Sequence, residues 1–132
     1  MELPIDAPVA LAEWLRSQGH AAVPTPVPDD LTERLPLTVL RDSGGSREWP
    51  VTDRHRVGVD CYGADVGEAL AHARECHALL DSLNVTHPSV GGVAHYQTAF
   101  GGLPQETTDA EHPDVPMATF LAEVTTRALH VE

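Results

Sequence analysis

Residues 55–83, HRVGVDCYGADVGEALAHARECHALLDSL, change their hydrophobic period once, from two to about 3.6. In the first part His55, Val57, Val59 and Cys61 share one face, while Arg56, Gly58, Asp60 and Tyr62 share the other, as in a half-buried strand. Asp65 then offers an N-cap, and Glu68 three residues on completes a capping-box-like pair. From there Val66, Ala69, Leu70, Ala73, Cys76, His77, Leu80 and Leu83 recur at steps of three and four, one apolar stripe along a long helix. Glu68, His72, Arg74, Glu75 and Asp81 lie between them as a mostly wet face. Burying four large aliphatic side chains of such a stripe contributes about 6–12 kcal/mol before conformational entropy is counted. This helix is the expected spine of the fold.

Upstream, LPLTVLR (35–41) has the β-branched and aliphatic content of a strand, and Asp42-Ser43-Gly44-Gly45-Ser46 has the composition of a turn. The two strands should therefore pair antiparallel across a long tip. Residues 6–18 read as a helix capped by Asp6, with Pro8 in its first turn, Leu11, Trp14 and Leu15 at helical spacing, and Gly19 as a stop. The segment 20–30 carries Pro24, Pro26 and Pro28 and reads as a stiff connector or a sheet edge. Downstream, Gly91-Gly92 leads into a third strand, VAHYQTAF (93–100), followed by a polar loop over 101–114. MATFLAEVTTRALHV (117–131) alternates as a last strand, in which Leu121 interrupts the polar face, so the strand is either central or in contact with a partner. The order predicts a single α+β domain over 1–132, with two helices on one face of a small, mostly antiparallel sheet.

Composition narrows the functions such a domain can have. Twenty acidic side chains stand against eight basic ones, all Arg, for a formal charge of −12. That balance argues against a surface built to hold nucleic acid or anionic lipid, which needs clustered cations. No leader-like or spanning segment is evident, so a soluble chain is expected. Cys61 and Cys76 read as two small buried hydrophobes rather than a disulfide framework.

Glu68, His72 and Cys76 lie four residues apart on one helix, but they divide between its wet and apolar faces, so no metal is expected. His95 and Tyr96 with Asp60 could form an acid–base pair only if the strands brought them together. Ser43 and Ser46 lack a nucleophile elbow, and DSGGS lacks the Lys and helix of a phosphate loop. No catalytic residue and no cofactor is expected. The segments 42–53 and 101–116 are long for the size of the domain, which suits contacts with other molecules. Trp49, Leu103, Met117 and Leu121 are the candidate interface residues on or beside them.

The same elements, in the same order, resemble the tail terminator family of long-tailed bacteriophages, in the version common among phages of actinobacteria. The resemblance covers nearly the whole chain: the helix ending at Gly19, TVLRDSGG, and VGVDCYGAD followed by the Ala-rich helix VGEALAHARECHALLDSL. It continues through Gly91-Gly92 and a strand, then a Pro-containing loop and the alternating last strand. HPDVPM (112–117) replaces the Pro-Arg-Tyr/Phe stretch usual before that strand. The all-Arg composition fits a GC-rich host. The resemblance implies a structural protein without enzymatic activity, located in the virion at the head-proximal end of the tail and assembled in the host cytoplasm. It implies a homo-oligomeric ring, hexameric in type, that caps the tail tube, halts its growth and docks the head–tail connector or neck protein. DNA would pass through the lumen without specific binding, and no membrane is involved. Six subunits at −12 give a ring of roughly −72, a field that would let DNA slide without sticking. Two other classes remain open at this point. One is a phage neck protein; the other is a small host α+β enzyme or ligand-binding domain with a pocket around Asp60, Tyr62, His95 and Tyr96.

Overall fold

The computed structural model describes residues 1–48 and 50–132. The elements run β1 (Glu2–Leu3), α1 (Ala7–Ser17), β2 (Ala22–Pro24), a 3-10 turn (Leu31–Glu33), β3 (Leu37–Glu48), β4 (Thr52–Tyr62) and α2 (Val66–Thr86). Then follow β5 (His95–Phe100), β6 (Gln105–Thr107), β7 (Met117–Arg127) and β8 (Leu129–His130). The main sheet has the order β2-β3-β4-β7-β5, with β6 also on β7. Every pairing is antiparallel except that of β2 with β3. The chain is thus a small α+β fold, as its element order predicts.

Both helices lie on one face of the sheet. Leu40, Val57, Val59, Cys61, Ala118, Phe120, Ala122 and Val124 of the strands pack with Leu11 and Leu15 of α1 and with Ala69, Ala73, Cys76, Leu80 and Leu83 of α2 in one core. On α2 only Leu80 and Leu83 among the large aliphatic side chains are fully buried, Leu70 and Leu79 partly so, and Val66 is exposed. The large-residue contribution from the two buried leucines is therefore about 3–6 kcal/mol, below the expectation for four. The small residues between them let the helix lie close on the sheet. The caps act as the sequence indicates: Asp65 Oδ1 accepts the Glu68 N–H at 2.7 Å, and Glu68 reaches back to the Ala64 N–H at 3.1 Å.

Four elements differ from the sequence reading. The DSGGS segment is no turn: β3 runs through it with a bulge between Asp42 and Gly45. Gly45 has φ 143°, and a Cβ there would lie 2.0 Å from the Arg54 carbonyl oxygen, so the glycine serves a close strand approach. His72 is buried rather than wet. It stacks on His20 at 3.8 Å between ring centroids and donates Nε2–H to the Ala21 carbonyl at 3.2 Å. The polar loop after β5 contains β6, and the chain ends pair as β1 and β8. The Pro-rich segment does form a sheet edge, β2. β7 is central, flanked by β4 on one side and by β5 and β6 on the other.

Candidate functional site

The face of the sheet opposite the helices is partly open. At one end Leu31, Leu37, Val39, Tyr62 and Met117 form a second small core covered by the segment around the 3-10 turn. Beyond it the open face shows ion pairs laid across neighbouring strands. Arg41 Nε bonds Asp60 Oδ2 at 3.1 Å, Arg56 lies 3.5 Å from Glu123, and Arg54 lies 2.6 Å from Glu48. Three cations meet three anions there, so this face is balanced in a chain of charge −12. The acid excess lies elsewhere, above all on the loop carrying Glu106, Asp109, Glu111 and Asp114, where residues 101–116 contain no Arg.

A shallow hollow of about 370 Å³ opens on this face, lined by Arg41, Gly101, Gly102, Leu103, Thr119 and Leu121 among others. Its origin is a break in the flank of β7. β5 pairs with β7 as far as Phe100–Ala122, β6 resumes at Gln105–Thr119, and between them Gly101 N–H donates to the Leu121 carbonyl at 2.9 Å. The linking residues leave the sheet there, which exposes Leu103 at 79% and Leu121 at 39%. On the other side Leu121 sits opposite Gly58 of β4. A Cβ on Gly58 would fall 2.2 Å from Arg41 Cζ, so the guanidinium lies over bare backbone beside Leu121. Asp60, which also accepts the Thr119 hydroxyl at 2.8 Å, and Ser43, at 3.1 Å from Arg41 Nη1, hold it in place. Two exposed leucines beside a planar, fixed guanidinium make a surface suited to a protein partner, with an apolar centre and a polar rim.

The candidate interface residues fare differently. Leu103 and Leu121 meet at this hollow. Met117 does not reach the surface: it is 7% exposed and packs in the second core, because its position at the start of β7 puts it beneath the covering segment. Trp49 lies outside the described residues. Arg41 and Gly58, which complete the hollow, carry no sequence signal beyond their alternation on two paired strands.

The residues of the possible acid–base pocket are not brought together. Asp60 pairs with Thr119 and His95 with Thr126, seven residues apart along β7, or about 23 Å. Tyr62 donates to Asp109 at 2.8 Å. Burial first, then the Asp109 bond, holds its hydroxyl well above the ordinary phenol range. The helix trio also separates. Glu68 caps α2, His72 stacks on His20, and Cys76 is buried, its thiol pushed up by the contact with Cys61 and by burial. Among the described residues no three of His, Cys, Asp and Glu are placed to enclose an ion, and no helix is long and apolar enough to cross a membrane. No protein-family model and no curated protein matches the chain.

Proposed function

We propose that this protein is a structural assembly subunit, the tail terminator of a long-tailed bacteriophage of actinobacteria. As a ring of copies, hexameric in type, it caps the head-proximal end of the tail tube. The ring stops tube growth, offers a docking surface to the head–tail connector or neck protein, and lets DNA pass.

The observation that carries this reading is the charge-balanced open face with its Leu103–Leu121 hollow. Subunits of charge −12 repel one another, and contact costs least where the local charge is balanced and apolar surface is available. The acidic residues of 105–114 and of the helix layer are left to face solvent, neighbours of opposite charge, or a lumen through which phosphate must slide. A ring further needs two different surfaces per subunit, each meeting its complement on the next copy. The open face supplies one; at the sheet margins Arg16 already holds the Ala22 carbonyl of β2 and Asn84 both backbone groups of Thr98 in β5, so the complement is made by side chains and not by an added strand.

The mass of the purified chain in solution, alone and mixed with tail tube protein, tests the proposal. A closed oligomer in either condition is expected; a strictly monomeric species in both contradicts it.

A further inference from the structure

The C-cap of α2 and the first residue of β5 bring two imidazoles together, and the whole arrangement is held by side-chain bonds. His87 caps α2 in the left-handed conformation, φ 44° and ψ 52°, with its N–H donating to the Leu83 carbonyl. One turn earlier Asn84, the single Asn of the chain, accepts the Thr98 N–H at 2.7 Å and donates to the Thr98 carbonyl at 2.8 Å, which ties the helix end to β5. His95, 3% exposed, lies at the start of β5, with its Nε2 hydrogen-bonded to the Thr98 hydroxyl at 2.7 Å. The Nδ1 atoms of His87 and His95 are hydrogen-bonded at 3.3 Å, one ring donating to the other, so an ion bound between them would take the place of that proton.

That spacing has a chemical meaning. A tetrahedral ion 2.0–2.1 Å from each of two imidazole nitrogens holds them about 3.4 Å apart. We infer that His87 and His95 form a two-nitrogen site for a divalent transition-metal ion of the zinc, nickel or copper type, ligated through both Nδ1 atoms and completed by water. The Thr98 hydroxyl can accept Nε2–H from His95, and in that tautomer Nδ1 carries the lone pair that ligation requires. His87 is exposed and gives the ion a route in. Imidazole-only ligation favours these ions over magnesium or calcium, which want oxygen. The site has two protein ligands and no enclosing cage, is reached from the exposed His87 side, and is independent of the proposed assembly role.

Calorimetric titration of the untagged full-length chain with copper, nickel, zinc and magnesium chlorides tests it. One ion per chain is expected, with affinity in the order copper, nickel, zinc, and none for magnesium. His87→Asn keeps a residue that tolerates the left-handed cap and should weaken binding by at least about tenfold. Thr98→Val should weaken it several-fold with the fold intact, and Thr98→Ser should restore it. Nickel should broaden the imidazole proton resonances of His87 and His95 before those of the other six histidines. Wild-type affinity in His87→Asn, broadening centred on another histidine, or no binding at about millimolar zinc or nickel would each overturn the inference.

Discussion

Gly45 shows how a single residue decides the shape of the β3–β4 hairpin. Its φ of 143° and the 2.0 Å that would separate a Cβ from the Arg54 carbonyl oxygen leave room for hydrogen alone. Gly45→Ala should therefore cost about 2–4 kcal/mol, whereas Gly44→Ala, at φ 89° with no atom within 4 Å, should cost about 1 kcal/mol. Urea unfolding of both variants measures the difference, and equal losses would mean that the close approach is not real. The buried histidines make a second residue-scale statement. Burial holds the pKa of His55, His72 and His95 below the ordinary 6.5, with the neighbouring His20 and His87 adding to the effect at His72 and His95. The unfolded chain then binds more protons than the folded one just below that value, so stability rises with pH there. Their contribution is complete above pH 6.5 and is lost as pH falls through and below it. The melting temperature should drop between about pH 7.5 and pH 5.5, and a flat profile would contradict this assignment.

At the scale of elements, the acidic loop between β6 and β7 has Tyr62 of β4 as its side-chain mooring: Tyr62 donates to Asp109, which also holds the Glu111 N–H and His112 Nδ1, each at 2.9 Å, while Val115 packs on the second core. Tyr62→Phe removes that mooring with the ring left in the core. It should cost about 1–2 kcal/mol and speed amide exchange in 105–116 more than in β4. Uniform exchange changes would place the effect in the core instead. The long, strongly periodic elements were legible in the sequence: α1, α2, β4 and β7 follow from spacing, as do their inward faces except on α2, where Val66 is exposed and His72 buried. What escaped had physical reasons. β1, β6 and β8 are two or three residues long and exist only through pairing with distant partners, so no local period marks them. Gly44 and Gly45 have turn composition, yet here glycine serves a bulge, and only the approach of β4 distinguishes the two. His72 looks wet on its own helix and is buried by His20, which lies 52 residues earlier. Leu121 was legible as an exception to the alternation of β7. Leu103 was placed on a loop, but the break between β5 and β6 that joins the two leucines is a tertiary feature, as is the cover over Met117.

The molecule as a whole distributes its charge unevenly: a balanced patch of ion pairs on the open face, with the acid excess on the helices, the chain ends and the segments 29–33 and 105–114 that border the patch. This distribution makes −12 compatible with self-association, because repulsion between copies is weakest where the leucines lie. Leu121→Glu adds a charge at a site already 39% exposed. It should leave the melting temperature within a few degrees of wild type and abolish assembly. An assembled Leu121→Glu chain would move the contact to the strand edges. The most direct measurement is electron microscopy of the purified wild-type protein, alone and with tail tube protein. Rings with an open centre, seated at tube ends when tubes are present, are the predicted result; fields of single 132-residue subunits in both samples would contradict the assembly role.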